Sequence, residues 1–155
     1  MPQEYNVVIA DTTCFILLDK IGKLDLLKQV FTTITTTKTI ALEFGKPLPE
    51  WINILPVTNI NYQEILEIEV DAGEASAIAL SFEFENPLLI LDDFKARKLA
   101  TKLNLPFTGT FGILLKAKNK GVISAIKPIA ELIQQTNFRF SDTVLKSILM
   151  EANED

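Results

Sequence analysis

The stretch DAGEASAIALSFEFENPLLILDD, residues 71–93, combines a helical pattern with a strand pattern that ends in two acidic residues. Asp71 is followed three residues later by Glu74, a spacing typical of a helix start, and the alanines that come next permit close packing against a sheet. The apolar run Leu88–Leu91 is typical of a buried strand. This stretch therefore predicts a helix and then a buried strand, with the carboxylate of Asp92 at the carboxyl end of the strand.

The same order of strand and acid occurs at the beginning of the chain. There the apolar run Val7–Ala10 is followed directly by Asp11. Because the carboxyl ends of parallel strands open into a common crevice, acids that are far apart in sequence converge there. Two further acids lie in predicted helices next to strands. We therefore expect one edge of the sheet to hold four carboxylates: Asp11, Glu43, Glu74 and Asp92.

Strand and helix patterns alternate along the whole sequence. Such alternation predicts one α/β domain over residues 1–155, with a mainly parallel sheet flanked by helices. The predicted strands are 7–10, 32–37, 52–57, 88–91 and 106–108. The predicted helices are 15–31 with a break near Gly22, 38–44, 61–70, 71–82, 94–103, 110–119 with Thr110 as its cap, 128–135 and 141–152.

Composition agrees with a single compact domain. The chain has 155 residues, of which 48% are hydrophobic, and its mean hydropathy is +0.24, so a core of ordinary size can form. No apolar stretch approaches the roughly 18 residues that cross a bilayer, and residues 1–5 lack the basic start and long apolar run of a signal peptide. We therefore expect a cytoplasmic protein that does not enter a membrane.

The sequence excludes several kinds of catalytic site. It has one cysteine, Cys14, and no histidine, so an internal disulfide, a multi-thiolate zinc site and a Ser-His-Asp triad are all excluded. The remaining chemistry must use carboxylates, hydroxyls, lysines or a metal. Clustered anions repel one another unless a hard cation joins them, and oxygen ligands of this kind suit Mg²⁺ or Mn²⁺.

The net charge of −5 argues against a protein that holds nucleic acid by bulk electrostatics. It does not exclude a nuclease, because bound divalent ions would screen the clustered acids. The cations fall into two groups, and each group is also well suited to a solvated helix face. The groups are Lys95, Arg97, Lys98 and Lys102, and Lys116, Lys118 and Lys120.

Each acid also has a simple structural explanation. Asp11 is suited to be a helix N-cap, and Asp71 with Glu74 is suited to be a capping box. Glu43 fits an exposed helix position, and the acids at 92 and 93 fit a turn and a cap. The residues taken singly leave these interpretations open, whereas four acids at one sheet edge favour a site.

Four motifs resemble PIN domains, in particular a branch related to VapC toxins. The first is the strand followed by Asp11-Thr12-Thr13. The second and third are Asp71-x-Gly73-Glu74-Ala75-x-Ala77-Ile78-Ala79-Leu80 and Leu88-Leu89-Ile90-Leu91-Asp92-Asp93. The fourth is Thr108-Gly109-Thr110-Phe111-Gly112-Ile113-Leu114-Leu115. They occur in the family's order and cover nearly the whole chain.

The resemblance implies a ribonuclease that depends on Mg²⁺ or Mn²⁺. By motif, the catalytic acids are Asp11, Glu43, Glu74 and Asp92; the metal ligands are Asp11, Glu74, Asp92 and Asp93. Thr13 stands where the family usually has serine, as a supporting hydroxyl. Lys95 and Arg97 are candidates to neutralise RNA phosphate. The implied partners are single-stranded or structured RNA, a cognate antitoxin and a second copy in a homodimer, with Trp51, Phe82 and Phe84 as candidate contact residues.

Two other classes of protein stay open at this stage. Glu74 stands where many PIN nucleases have aspartate, and this departure keeps open a catalytically weak or inactive binding module. A phosphoryl-transfer protein with an aspartate nucleophile is less well matched. Asp11-Thr12-Thr13 lacks a second aspartate two residues on, and the sequence has no glycine-rich phosphate loop.

Overall fold

The structure is a computed structural model that describes residues 5–155. The expectation that the first residues form no signal peptide therefore falls mostly on residues 1–4, outside the described residues. The strands are β1 Val7–Ala10, β2 Ile34–Thr37, β3 Ile52–Leu55, β4 Pro87–Ile90 and β5 Phe107–Thr108. The helices are α1 Thr12–Lys20, α2 Leu26–Phe31, α3 Lys38–Phe44, α4 Ile60–Leu66, α5 Ala72–Ser81, α6 Phe94–Lys102, α7 Thr110–Asn119, α8 Lys127–Gln134 and α9 Asp142–Glu151.

The five strands form one parallel sheet in the order β3-β2-β1-β4-β5. The predicted α/β fold, with a parallel sheet flanked by helices, is confirmed. Residues 5–155 contain no helix that is long and apolar enough to cross a membrane.

The strand order reverses between β1 and β4. From β1 the chain builds the sheet outward to β2 and β3, and it then returns to place β4 on the other side of β1. Ala10 of β1 is paired with Ile90 of β4. Both strands therefore end at the same level, and the loops that leave them turn to opposite sides. In open α/β sheets, ligands bind in the crevice that this switch point creates.

Helix α5 is the element that packs most closely on the sheet. Its residues from Gly73 to Ser81 are all buried, and it lies against β1, β2 and β4. The alanines at 75, 77 and 79 are at most 1% exposed, which lets the helix backbone approach the sheet as the sequence predicted. This contact fixes where the first turn of α5, with Glu74, lies relative to the strand ends.

Several local predictions need correction. Helix α1 begins at Thr12 rather than at Phe15, α4 ends at Leu66 rather than at Val70, and β3 ends at Leu55 rather than at Val57. Strand β2 begins at Ile34 rather than at Thr32, because Thr32 has φ 70° and ends α2. Strand β4 begins at Pro87, where a residue without an N–H is tolerated at the start of a strand. The N-cap of α7 is Gly109, and Thr110 is its first helical residue. Trp51 is half-buried against the core rather than exposed.

Thr37 joins the end of β2 to both α3 and α5. Its Oγ1 accepts a hydrogen bond from Ile40 N at 3.1 Å, which caps α3. Its hydroxyl lies 2.7 Å from Oγ of Ser76, and Ser76 donates its own hydrogen to the Gly73 carbonyl. Thr37 is therefore the donor in the bond to Ser76, and one buried hydroxyl holds three elements near the sheet edge.

We expect Thr37→Val to destabilise the fold by about 1–2 kcal/mol, because it removes a helix cap and a buried donor at nearly constant volume. Thr37→Ser keeps the hydroxyl and should cost less. Urea denaturation of both variants in chelator measures the difference. Equal stabilities for the valine and serine variants would show that the hydroxyl does not hold these elements together.

Candidate metal centre

Asp11 is the first residue after β1 and lies at the start of α1. Its Oδ1 accepts a hydrogen bond from the N–H of Thr12 at 2.7 Å, the first helical residue, whereas an N-cap side chain usually binds the second or third. The residue is 3% exposed. Burial is the main cause that raises the pKa of this carboxyl to about 7, and the negative charges of Asp71, Glu43 and Asp92 raise it further.

Glu43 comes to the same place from α3. Its Oε1 accepts a hydrogen bond from the Thr12 hydroxyl at 2.6 Å, so it is tied to the residue next to Asp11. Its carboxylate also lies directly over Gly73 in the first turn of α5, where an added Cβ would collide with it. Glycine at this position therefore leaves room for Glu43 beside the helix that carries Glu74.

Asp71 and Glu74 form the capping box that the sequence predicted. Asp71 Oδ1 accepts from Glu74 N at 2.9 Å, and Glu74 Oε1 accepts from Asp71 N at 3.4 Å. Glu74 is nevertheless 6% exposed, unlike an ordinary surface cap. Burial raises the pKa of its carboxyl, and the negative charges of Asp11, Asp71 and Asp93 add to the increase. Glu74 is thus both a cap and a member of the acidic group.

Asp92 follows β4 and is held by the start of α7. Its Oδ1 accepts from Thr110 N at 2.9 Å, and its Oδ2 accepts from the Thr110 hydroxyl at 2.7 Å. Arg97 Nη2 lies 3.9 Å from Oδ1, and the Asp92 side chain is 8% exposed. An added Cβ at Gly109 would collide with this guanidinium. The Thr108-Gly109-Thr110 motif therefore holds Asp92 by hydrogen bonds and leaves room for the Arg97 guanidinium beside it.

The remaining predicted residues have other local roles. Asp93 is the N-cap of α6, with Oδ2 accepting from Ala96 N at 3.0 Å. Thr13 lines a groove on α1, whereas the hydroxyl that binds a carboxylate of the group belongs to Thr12. Lys95 is exposed on α6.

Arg97 is held by the protein on several sides. Its Nε donates to the Leu91 carbonyl at 2.7 Å, and its guanidinium carbon lies 5.4 Å from the centre of the Phe107 ring. Together with the ion pair to Asp92, these contacts fix a positive charge at the edge of the acidic group. Only 37% of the side chain is exposed.

The four predicted acids thus come to one end of the sheet, at the β1/β4 switch point. Across residues 5–155 as they stand, no three acidic side chains are close enough to enclose one ion. Each of the four acids is held by its own hydrogen bonds. Thr12 donates to Asp11 and Glu43, and Thr110 donates to Asp92. The donor set is made of carboxylate oxygens whose negative charges oppose one another, which fits a hard divalent ion.

Comparison with known protein families assigns the chain to one of them. A model of a PIN-domain family matches residues 7–154. The chain belongs to the PIN-domain family. PIN domains are generally nucleases and usually use divalent metal ions, in line with the acids at the switch point of this PIN domain. Searches of curated proteins and of solved structures found no match.

Sequence reasoning missed three residues of this PIN domain's site. Asp71 was assigned only to a cap, yet its charge raises the pKa values of both Asp11 and Glu74. Thr12 and Thr110 hold Glu43 and Asp92, and neither was assigned to the site. A signal existed for both threonines, since each lies in a motif shared with the family. The bond from Thr12 to Glu43 spans 31 positions, and no local pattern predicts it.

The raised pKa of Asp11 makes the stability of the metal-free protein depend on pH. The native carboxyl titrates at about 7 instead of the usual 3.8, so between these values the folded state binds a proton that the unfolded state does not. Stability is therefore lost as pH rises through about 7. In chelator, we expect wild type to melt higher at about pH 5.5 than at about pH 8, and Asp11→Asn to melt above wild type at about pH 8.

Manganese should reverse the order of the two proteins at the higher pH, because it binds the charged carboxylate and stabilises wild type more. Asp25→Asn is the matched control, since Asp25 is an exposed N-cap whose side chain makes no cap hydrogen bond. Thermal melts in chelator and in manganese give the comparison. An Asp11→Asn variant that melts at or below wild type in chelator, and gains as much from manganese, would reduce Asp11 to a helix cap.

Proposed function

We propose that this PIN domain is an endoribonuclease that hydrolyses RNA phosphodiester bonds with the help of Mg²⁺ or Mn²⁺. The observation that carries the proposal is the position of Asp11 and Asp92 after the two strands that meet at the switch point, with Asp92 contributing to the raised pKa of Asp11. Carboxylates held close enough to repel one another destabilise the folded protein when no cation is bound. Their arrangement is explained by a cation that they bind together.

The metal ligands in this proposal are Asp11, Glu74, Asp92 and Asp93, and the ion they hold would supply water activation and charge stabilisation at phosphorus. Glu43 is the acid outside that set, and it is exposed and oriented by the Thr12 hydroxyl. It is therefore suited to take the proton of the attacking water.

Several groups around the ligands have supporting parts. Thr110 orients Asp92 with two hydrogen bonds, and Thr13, the second residue of α1, would supply a supporting hydroxyl. Arg97, fixed beside Asp92, and Lys95, exposed on the same helix α6, supply positive charge for the phosphate. No histidine is needed for this chemistry.

The proposal extends to partners and place of action. We infer a cytoplasmic protein that cuts single-stranded or structured RNA, acts as the toxin of a toxin–antitoxin pair and is restrained by a cognate antitoxin. A homodimer is part of this proposal. The exposed side chains of Phe82, which is 47% exposed, and Ile65, which is 61% exposed, support a protein contact on the α4/α5 side.

A second candidate function is a binding or regulatory module without turnover. Two observations favour it. The Glu74 carboxylate is used in a complete capping box, and in the described chain no three acids already stand close enough for one ion. In this case the acidic group binds a metal or a partner and cuts nothing.

We expect purified protein to cleave single-stranded RNA in Mn²⁺ or Mg²⁺ and to lose this activity in chelator. Asp92→Asn should reduce the rate by more than about 100-fold, since even residues that only support a metal ligand usually account for about 10- to 100-fold. Asp142→Asn, an exposed acid in the first turn of α9, is the control and should cut normally.

Gel assays over a broad panel of RNA sequences measure this activity, and calorimetry measures manganese binding in parallel. Protein that binds manganese through Asp92 but cuts no RNA in the panel would favour the binding module. Equal cleavage by the Asp92 and Asp142 variants would contradict the proposed site.

A further inference from the structure

The helix that follows the acid pair, α6, carries an unusual exposed face. Phe94, its first residue, is 76% exposed, although aromatic side chains of this size usually find a place in the core. The opposite face packs inward through Ala96, Leu99 and Ala100. Phe94 has therefore been left in solvent by a helix that has a well-formed buried side.

Lysines continue the line that begins at Phe94. At about 100° per residue, positions four apart lie on one side of a helix, each about 6 Å further along the axis. Lys98 and Lys102 follow Phe94 at this spacing, Lys95 flanks them, and all three lysines are exposed. We call Phe94, Lys95, Lys98 and Lys102 the α6 stripe.

The charges of the α6 stripe are available to a ligand. Within residues 5–155, none of its three lysines belongs to an ion pair, whereas Arg97 on the same helix is bound to Asp92. The other group of cations differs. Lys118 is bound to Glu154 and to the Ala152 carbonyl, and Lys120 donates to the Val30 carbonyl, so these two hold the fold together.

The α6 stripe begins at the acidic group. Asp93, the residue before Phe94, caps α6 and adds its charge to the field on Glu74. Asp92, one residue earlier, is among the proposed metal ligands. The stripe thus leads away from the place where the phosphodiester would be cut, in a protein whose net charge is −5.

We propose that the α6 stripe is the path of single-stranded RNA on this protein, in which Phe94 stacks on an unpaired base next to the scissile phosphate and the lysines bind the phosphates that follow. This inference rests on the proposed function and names how its substrate is held. An aromatic ring beside a row of cations is the combination with which proteins hold single strands regardless of sequence.

A protein partner fits this surface less well. Protein interfaces are depleted of lysine relative to the rest of the surface, whereas three of the four residues of the stripe are lysines. The negative charge of a phosphate backbone complements the lysines, and the ring of Phe94 offers a surface on which a base can stack. Because stacking requires an unpaired base, the stripe favours single strands over duplexes.

The test is RNA binding measured by fluorescence anisotropy, in calcium to neutralise the carboxylates, with the RNA checked to be intact afterwards. The probes are a labelled single-stranded oligoadenylate and the same strand in a duplex. We expect Phe94→Ala to weaken single-strand binding by about fivefold or more and to leave duplex binding nearly unchanged. Phe94→Trp keeps an aromatic ring and should bind single strands like wild type.

The contribution of the lysines should be measurable as the salt dependence of RNA binding. For single strands the slope of log K against log salt falls by about 0.7 for each phosphate contact removed, so Lys98→Ala and Lys102→Ala together should reduce it by about 1.4. Lys146→Ala and Met150→Ala are the controls, since both residues are exposed on α9. Neither should change the slope or the affinity.

The outcomes separate this inference from the nuclease itself. If the wild-type protein cleaves RNA and the stripe variants bind RNA as tightly as wild type, the proposed RNA path is wrong and the proposed nuclease activity stands. Binding that depends on the stripe, in a protein that cuts nothing, would support the path and overturn the nuclease. A Phe94→Ala variant that loses self-association in sedimentation but binds RNA normally would also overturn the path, because Phe94 would then be a protein contact.

Discussion

The parallel pairing of β1 with β4 is the constraint on which the rest of the structure depends. Because Ala10 lies opposite Ile90, Asp11, one residue after Ala10, and Asp92, two residues after Ile90, are brought to the same edge of the sheet. That edge is also where the strand order reverses, so the segments that leave β1 and β4 turn to opposite sides of it. The fold thus places two negative charges close together before any side chain outside the two strands is considered.

The surrounding hydrogen bonds make this arrangement tolerable in the metal-free protein. Asp92 receives two bonds from Thr110, Glu43 receives one from Thr12, and Glu74 receives the N–H of Asp71. Asp11 receives one from the N–H of Thr12, yet its burial still raises its pKa to about 7. A fold that keeps such a carboxyl under the first turn of α1 gives up stability at neutral pH. Metal binding would restore it, which links the electrostatics of the site to its proposed chemistry.

Much of the fold followed from patterns that depend on neighbouring residues. The buried runs at β1 and β4, the alanine-rich face of α5 and the capping box at Asp71 are all visible in the sequence. The patterns did not reveal that β2 begins only at Ile34, because a positive φ at Thr32 has no local signal. They also missed the bonds of Thr12 and Thr110, since both join segments that are distant in the chain. The acids were visible as residues, whereas the groups that hold them required the fold.

The most direct test of the account is a crystal structure of the protein grown with manganese, in which anomalous scattering locates the ion. The account predicts a peak at the β1/β4 switch point, with carboxylate oxygens of both Asp11 and Asp92 at coordination distance, about 2.0–2.3 Å. Glu74 or Asp93 should complete the ligand set. Manganese bound elsewhere, with Asp92 still held by Thr110 alone and Asp11 without a bound ion at saturating metal, would contradict it.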